Sequence, residues 1–395
     1  MPPLDGLRVL DLSRVLAGPY CTMVLADLGA DVVKIERPGS GDETRGWGPP
    51  YAGGEAAYYL SVNRNKRSCA IDLSTDEGRR LALELCARAD IVIENFKTGT
   101  AERMGLDRAS VAERNPRVVY CSITGFGSRR RPAGRPGYDF VAQAESGIMS
   151  ITGAADGEPM KVGVAMVDVL TGLHAAVAIL AAVHRGEGDQ IEVSLLDSGL
   201  AGLVNVASNV LVAGGEPQRH GNAHPNIVPY QSFPTADGWI AIAAPNDGLW
   251  TKLCEVLGVP ELATDERFAT NAVRVENRAT LVPLLEERLA AKTAEEWLAA
   301  LEDAGVPAGK IRSVPDALQA AAEAGLAATT RVPHPTAGEV ELVNSPITVE
   351  SGLRATVAPP LLGQHTAEVL KELGLDDAEI ERLANAGVVE LRTKN

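Results

Sequence analysis

Short apolar runs recur through the first half of the chain, with longer helix-periodic segments between them. The strands predicted from these runs lie at residues 6–12, 32–36, 68–73, 91–95, 118–122 and 190–194, and the first and last of them alternate between apolar and polar residues. Helical periodicity at residues 20–28 and 77–87 separates neighbouring strands. Repeated β-α-β units of this kind predict a doubly wound α/β fold with a parallel sheet.

The most apolar helix is predicted in the run from Leu173 to Val183, which is built mostly of Ala and Leu and should be buried on most faces. Asp168 falls at or just before its first turn. One interpretation is that Asp168 caps the helix, because Asp is a preferred capping residue. The other is that a carboxylate held among small neighbours (Gly163, Ala165, Gly172) acts as a nucleophile towards an acyl group.

The pattern changes after an apolar helix predicted at 195–212, which we expect to end the first domain. A strand at 239–243 is followed by helical periodicity at 247–257, 274–291 and 293–304. We therefore predict a large Rossmann-like domain over residues 1–212 and a smaller α+β domain over residues 225–325. Short strands from residue 339 and two helices predict a C-terminal segment, 337–395, that returns to the large domain.

Composition excludes several classes of function. The chain has 395 residues and a formal net charge of −15, which argues against nucleic-acid and anionic-membrane partners. Five scattered Cys and six scattered His show none of the spacings of a metal site or a disulfide framework, so no metal is predicted. The N-terminus lacks the pattern of a signal peptide, and we expect a cytoplasmic protein.

Cations and aromatic residues concentrate in three early segments. Arg37 follows the second strand, where open α/β sheets bind ligands. The segment Asn63-Arg-Asn-Lys-Arg67 is a candidate anion site in an otherwise acidic chain. A Gly- and Pro-rich loop at 42–54 carries Arg45 and Trp47, and loops of this kind on a rigid scaffold tend to cover sites.

Five motifs occur in a specific order: Leu16-Ala-Gly-Pro19, Lys34-Ile-Glu-Arg-Pro-Gly39, Asn63-Arg-Asn-Lys-Arg67, Glu94-Asn-Phe96 and the segment from Gly163 to Gly172. With this set the chain resembles the class III coenzyme A transferases over nearly its whole length. The resemblance implies Asp168 as nucleophile and an interlocked homodimer. It also implies that CoA is a thioester substrate, with no tightly bound cofactor. The CoA-binding residues implied by family position are Arg37, Asn65, Lys66, Arg67, Asn95 and Arg103.

The resemblance further implies that CoA moves from an acyl-CoA such as succinyl-CoA to a small dicarboxylate such as glutarate. The route would pass through aspartyl anhydrides and an aspartyl-CoA thioester. The substrate-binding residues predicted with it are Leu16, Arg45, Trp47, Tyr138 and Asp139, of which Arg45 and Trp47 would grip the acceptor's distal carboxylate. Leu16 stands where formyl-CoA transferases carry Gln, which makes formate and oxalate poorer candidates.

Three alternatives stay open. A 2-methylacyl-CoA racemase needs an acid/base pair beside the α-carbon, but Tyr138 stands where racemases of this family carry His. A catalytically silent CoA-binding protein would retain CoA binding without transfer. A nicotinamide dehydrogenase is disfavoured because the strand-to-helix turn lacks Gly-x-Gly-x-x-Gly.

Overall fold

The computed structural model describes residues 1–128 and 135–392. The strands are β1 (Arg8–Asp11), β2 (Asp31–Glu36), β3 (Tyr51–Ala52), β4 (Glu55–Ala56), β5 (Lys66–Ile71), β6 (Ile91–Glu94), β7 (Val119–Thr124), β8 (Asp189–Ser194), β9 (Tyr230–Pro234), β10 (Trp239–Ala243), β11 (Ala308–Lys310), β12 (Thr329–His334), β13 (Gly338–Val343) and β14 (Val389–Glu390). The predicted strands of the first half are all present within two residues of their expected ends.

The helices of the first part are α1 (Ala17–Asp27), α2 (Ala57–Val62), α3 (Asp76–Arg88), α4 (Thr100–Met104), α5 (Arg108–Ala112), α6 (Asp139–Glu145), α7 (Ile148–Ile151), α8 (Met166–Arg185), α9 (Leu195–Ala201) and α10 (Val204–Ala213). Those that follow are α11 (Asp247–Leu257), α12 (Glu261–Thr264), α13 (Asn271–Glu276), α14 (Arg278–Leu289), α15 (Ala294–Asp303), α16 (Val314–Glu323), α17 (Thr366–Glu372) and α18 (Asp377–Asn385). A 3₁₀ turn covers Glu43–Gly46.

A seven-stranded sheet in the order β14-β5-β2-β1-β6-β7-β8 confirms the predicted α/β fold with a parallel sheet. Six of its strands pair in parallel, and β14 joins β5 as an antiparallel edge. The chain runs from β1 outwards through β2 to β5, then returns to β6 on the other side of β1. Open α/β sheets bind ligands at such a reversal, outside the carboxyl ends of the strands.

Two predicted helices differ from the structure. The segment predicted as one helix at 195–212 consists of α9 and α10, whose axes differ by 73°. Val204 begins α10 with a φ of 42°, a conformation that a β-branched residue rarely adopts and that apolar periodicity does not reveal. The segment 274–291 similarly divides into α13 and α14 at Asn277.

The chain divides into two compact units. The first comprises residues 1–148, 162–213 and 327–395, and the second comprises residues 149–161 and 214–326. In the second unit, the antiparallel strands β9, β10 and β11 pack with helices around a core that includes Trp250, Phe233 and Phe268. All five Cys are free and buried, two of them on α1 and β7 in the core of the first unit.

Helix α8 is the longest helix of the described chain, and its composition and length would suffice to cross a membrane. One face packs into the core through Ala175, Ala176 and Ile179, which is typical of a central helix in a folded domain. The opposite face is more open than the sequence predicts, because Leu173 and Val177 are exposed. His174, in the same run, is also exposed, and its ring contacts the Ser198 hydroxyl at 3.1 Å.

Candidate active site

The first turn of α8 is capped by a residue from another part of the chain. Ala165 occupies the N-cap position and Asp168 the third helical position, so Asp168 is not the cap. Asp139 Oδ1 instead accepts hydrogen bonds from the backbone N–H groups of Val167 (2.8 Å) and Asp168 (3.2 Å). These are two of the four donors that a helix leaves unpaired at its start. The Asp168 carboxylate is therefore not used in capping.

Gln143 fixes the capping carboxylate. It lies one turn after Asp139 on α6, and its Nε2 donates to Asp139 Oδ2 at 2.6 Å. Gln143 Oε1 in turn accepts from the Val162 backbone N–H at 2.8 Å. Both oxygens of Asp139 are thus engaged, which holds the start of α8 against α6.

Asp168 has the environment of a reactive carboxylate. Only 9% of its surface is exposed. Burial, together with the charge of Asp139, raises the pKa of Asp168 to about 7. Tyr58 is half-buried nearby, and burial, with smaller effects of Asp168 and Asp139, raises the pKa of its phenol to about 12. Tyr58 is therefore a neutral hydrogen-bond donor close to both carboxylates.

Close packing of α8 on α1 places Asp168 at the start of α1. A Cβ added at Gly172 would lie 2.6 Å from the Ala17 carbonyl oxygen, so only glycine permits this approach. Asp168 precedes Gly172 by four residues and lies on the same helix face. A cavity of about 200 Å³ is lined there by Leu16, Ala17, Tyr138 and Asp168.

The segment before α1 is held by two polar side chains. Asn95, just after β6, accepts from the Arg14 N–H (2.9 Å) and donates to the Arg14 carbonyl oxygen (2.8 Å). Asp42 accepts from the Val15 N–H, and Val15 has a φ of 70°. The Lys34 ammonium lies 2.9 Å from Asp42 and is buried with it. A strained backbone of this kind persists only where its surroundings fix it.

A second, larger cavity of about 930 Å³ lies at the carboxyl ends of β1, β2, β5 and β6. Residues that directly follow these strands, such as Leu12, Arg37 and Asp72, line it. It also contains four arginine side chains, from Arg14, Arg37, Arg79 and Arg103. Four carboxylates, from Glu36, Asp42, Glu43 and Asp72, line it as well. Its size and its guanidinium groups suit an extended ligand with phosphate groups. Arg37 and Arg103 were predicted from the sequence, whereas Arg14 and Arg79 were not.

The cations between residues 63 and 67 are paired with carboxylates of the protein. Arg64 and Asn65 both donate to Asp27. The remaining two side chains contact several acceptors, which are Asp11, Asn63 and the Pro19 carbonyl oxygen for Lys66, and Asp31, Glu368 and Glu372 for Arg67. The cations of the predicted anion site thus contact Asp and Glu side chains of the protein itself.

Lys66 and Arg67 lie away from the arginine-lined cavity. Lys66 is 3% exposed, and burial, only partly offset by Asp11, lowers the pKa of its ammonium to about 8. Arg67 contacts Asp31, the first residue of β2, at the amino end of the sheet. Both side chains therefore support the sheet.

Arg45 is also engaged within the protein. Its guanidinium donates to Glu36, Glu55 and the Tyr59 hydroxyl, and it stacks on the Tyr59 ring at 3.7 Å. Trp47, by contrast, is partly exposed, and its ring packs edge-on against Tyr58 with centroids 5.2 Å apart. Trp47 thus packs on Tyr58, which lies close to Asp139 and Asp168. Arg45 instead joins the loop at 42–54 to Glu36 and Glu55.

The structure therefore brings Leu16, Asn95, Tyr138 and Asp168 to the smaller cavity, with Asp139 beneath it. Sequence reasoning missed Tyr58, Arg79, Arg14 and Glu43 as site residues. A signal existed for Tyr58, which follows the aromatic loop, and for Arg14, which precedes Leu16 in a predicted strand-to-helix turn.

Comparison with known proteins gives one consistent family. The model of CoA-transferase family III matches residues 4–366. The chain is 44% identical to succinyl-CoA:glutarate CoA-transferase of Mus musculus, over 99% of this chain and 91% of the mouse protein. It is 45% identical to succinate–glutarate CoA-transferase of Agrobacterium fabrum, over 94% and 96% of the two chains. Among solved structures, a CAIB/BAIF family protein from Brucella suis has a TM-score of 0.83 and 45% identity, over 94% and 99% of the chains.

Proposed function

Because this chain belongs to CoA-transferase family III, we propose that it transfers CoA from succinyl-CoA to glutarate with Asp168 as the nucleophile. The observation that carries the proposal is the position of the Asp168 carboxylate. It is nine-tenths buried in a cavity that shares walls with the larger arginine-lined cavity. A CoA thioester bound along both cavities would present its carbonyl carbon to this carboxylate.

The reaction proceeds through four acyl-transfer steps on one carboxylate. Asp168 attacks the succinyl thioester, the C–S bond breaks, and a mixed anhydride and the CoA thiolate form. The thiolate attacks the aspartyl carbonyl and releases succinate, which leaves an aspartyl-CoA thioester. Glutarate attacks this thioester to give a second anhydride, and the returning thiolate takes the glutaryl group and regenerates Asp168. Each step exchanges one acyl bond for another, as covalent catalysis requires.

The surroundings of Asp168 suit this chemistry. Desolvation and the charge of Asp139 raise its pKa, and a more basic carboxylate is a better nucleophile. The Tyr58 hydroxyl can donate to the oxyanion that forms at each tetrahedral step. Burial also limits the access of water, which would hydrolyse the anhydrides and the thioester.

The arginine-lined cavity would hold the nucleotide of CoA. Arg37, Arg79 and Arg103 supply planar guanidinium groups that bind phosphate oxygens in pairs. We assign supporting roles to Asn65, Lys66, Arg67, Asn95 and Arg45, since none of them lines this cavity and each contacts partners inside the protein. Leu16 and Tyr138 remain candidates for contact with the acyl groups.

We also propose that the working enzyme is an interlocked homodimer in the cytoplasm. Helix α9 contacts both α8 and α10, and these helices expose large apolar side chains, including Val177, Val204, Leu211 and Val212. Leu211 and Val212 are each 84% exposed, which is typical of an interface. Sedimentation should give a dimer, and tagged and untagged dimers should fail to exchange subunits on mixing. The five free cysteines support a reducing compartment.

The activity is tested with purified protein, succinyl-CoA and a panel of carboxylates that includes glutarate, malate, citramalate, itaconate and oxalate. We expect glutaryl-CoA by mass spectrometry and none with Asp168→Ala. Formation of a different acyl-CoA would show that another carboxylate is the acceptor. Exchange of the α-proton of a 2-methylacyl-CoA, with no transfer to any carboxylate, would replace the transferase by a racemase.

A further inference from the structure

The two cavities meet at three residues. Arg14, Glu43 and Phe96 line both the larger cavity with its arginines and the smaller cavity with Asp168. Any ligand that occupies both must pass between these side chains. CoA is such a ligand, because a long pantetheine arm joins its nucleotide to its sulfur.

An ion pair stands at this junction. Arg14 Nη1 donates to Glu43 Oε1 at 2.6 Å, and the side chains are 47% and 44% exposed. Arg14 follows β1 and Glu43 follows β2, so the pair joins loops from two neighbouring strands. Phe96, which follows β6, is half-buried against the core and provides an apolar wall.

Both partners stand on fixed backbone. Asn95 holds the N–H and the carbonyl of Arg14. Asp42, directly before Glu43, receives the Val15 N–H and caps the 3₁₀ turn through the Thr44 N–H at 3.0 Å. An exposed ion pair on mobile side chains contributes little to stability. Here its value lies in the placement of a guanidinium and a carboxylate at a defined point of the passage.

We propose that Arg14 and Glu43 form a clasp that positions the pantetheine arm of CoA between the two cavities. This inference rests on the proposed function. Arg14 carries five N–H donors, and its bond to Glu43 uses only Nη1, so other donors can reach the amide carbonyls of the arm. Glu43 can accept from the amide N–H groups, and Phe96 packs against the methylene groups. The clasp sets the distance of the thioester from Asp168, and these are positioning residues.

The test uses three donors that differ in length. Succinyl-CoA carries the nucleotide and the whole arm, succinyl-pantetheine only the arm, and succinyl-N-acetylcysteamine only the amide next to sulfur. With Arg14→Met we expect kcat/KM to fall about tenfold or more for the first two donors, as for a lost hydrogen bond to a charged group. The shortest donor should change less than about twofold. Arg14→Lys should recover part of the loss, and Glu43→Gln should lose less than Arg14→Met.

Arg79→Met is the matched control, since Arg79 lines only the larger cavity of the two. Arg79→Met should lower kcat/KM for succinyl-CoA and leave the other two donors unchanged. The clasp is excluded if Arg14→Met affects only succinyl-CoA, affects all three donors equally, or affects none.

Calorimetric binding of CoA and of pantetheine separates this inference from the acceptor assignment. A protein that binds CoA but makes no glutaryl-CoA would contradict the proposed function. The clasp would still be supported if Arg14→Met weakened the binding of both CoA and pantetheine. A wild-type protein that binds neither compound would overturn both proposals.

Discussion

Asp139 Oδ1 lies 2.8 Å from the backbone nitrogen of Val167 and accepts its N–H, so one carboxylate caps the helix that carries another. The same Asp139 raises the pKa of Asp168 through its charge, after the larger effect of burial. The start of α8 and the pKa of Asp168 therefore both depend on Asp139. A change at Asp139 should alter both, and the two effects can be measured separately.

For Asp139→Ala we expect a loss of about 1–2 kcal/mol in the free energy of unfolding, as for other removed helix caps. Asp139→Asn keeps an oxygen for the helix and removes the charge, so the pKa of Asp168 should fall. The acid limb of the pH profile of kcat/KM should then move to lower pH. An unmoved limb in Asp139→Asn would show that the charge has no effect on Asp168.

Asp168→Asn should abolish transfer and stabilise the protein at alkaline pH. The carboxyl has a pKa of about 7 in the folded state against an ordinary value of 3.8, so ionised Asp168 opposes folding. The loss of free energy of unfolding that Asp168 causes is absent below about pH 4. It grows above that pH as the carboxyl ionises in the unfolded chain, and it levels off above pH 7. Unfolding in urea at pH 8 should show a gain of about 2–4 kcal/mol over wild type, with a smaller gain at pH 5. An equal gain at both values would contradict the raised pKa.

Under the proposed mechanism, transfer by the wild-type protein requires ionised Asp168. We therefore expect kcat/KM to rise with pH up to about 7 and then to level off, because the carboxylate is the attacking form. Titration of kcat/KM between pH 5 and 9 with succinyl-CoA and glutarate checks this. A midpoint near pH 4 would mean that Asp168 is solvated like an ordinary surface carboxylate.

Gly172→Ala should reduce both stability and turnover. The new Cβ would lie 2.6 Å from a backbone oxygen of α1, so α8 must shift. We expect a loss of about 1–3 kcal/mol in stability. We expect kcat to fall up to about a hundredfold, since Asp168 moves with the helix. Gly238→Ala is the control, because it has open space and an ordinary φ and should leave both quantities unchanged.

Arg103→Met and Arg67→Met should have opposite profiles. Arg103 lines the larger cavity, so its loss should raise the KM for succinyl-CoA with little change in unfolding. Arg67 is paired with Asp31, Glu368 and Glu372, so its loss should lower stability by about 1–3 kcal/mol. Its KM should remain near wild type. A large increase of the KM for succinyl-CoA in Arg67→Met, without loss of stability, would show that Arg67 binds CoA.

The parallel sheet could be predicted because its strands are short, apolar and regularly separated by helical segments, and this pattern is local. The cap on α8 could not. Asp168 is 29 residues from Asp139, and nothing between them in the sequence shows that the first residue of α6 contacts the start of α8. Asp is a common cap, and the local rule therefore favoured the nearer of the two carboxylates.

The cations between residues 63 and 67 illustrate a different limit. They lie just before β5 or at its first two residues, so Arg67 is at the amino end of the sheet, whereas Arg37 and Arg103 follow strands and lie at the carboxyl end. Position relative to a predicted strand could have separated them. The partners of Lys66 and Arg45 could not be predicted, because Asp11 and Glu55 become neighbours only after the sheet and its loops have formed.

The five buried cysteines have a practical consequence for enzymology. Burial raises the pKa of each thiol, to about 12 for Cys69, Cys86, Cys121 and Cys254. The thiols of the native protein should therefore not react with Ellman's reagent, because the thiolate is the reacting species. Free CoA released by hydrolysis can then be followed colorimetrically without background from the enzyme. Addition of denaturant should expose five further equivalents per chain, so the same dye also reports the concentration of intact protein.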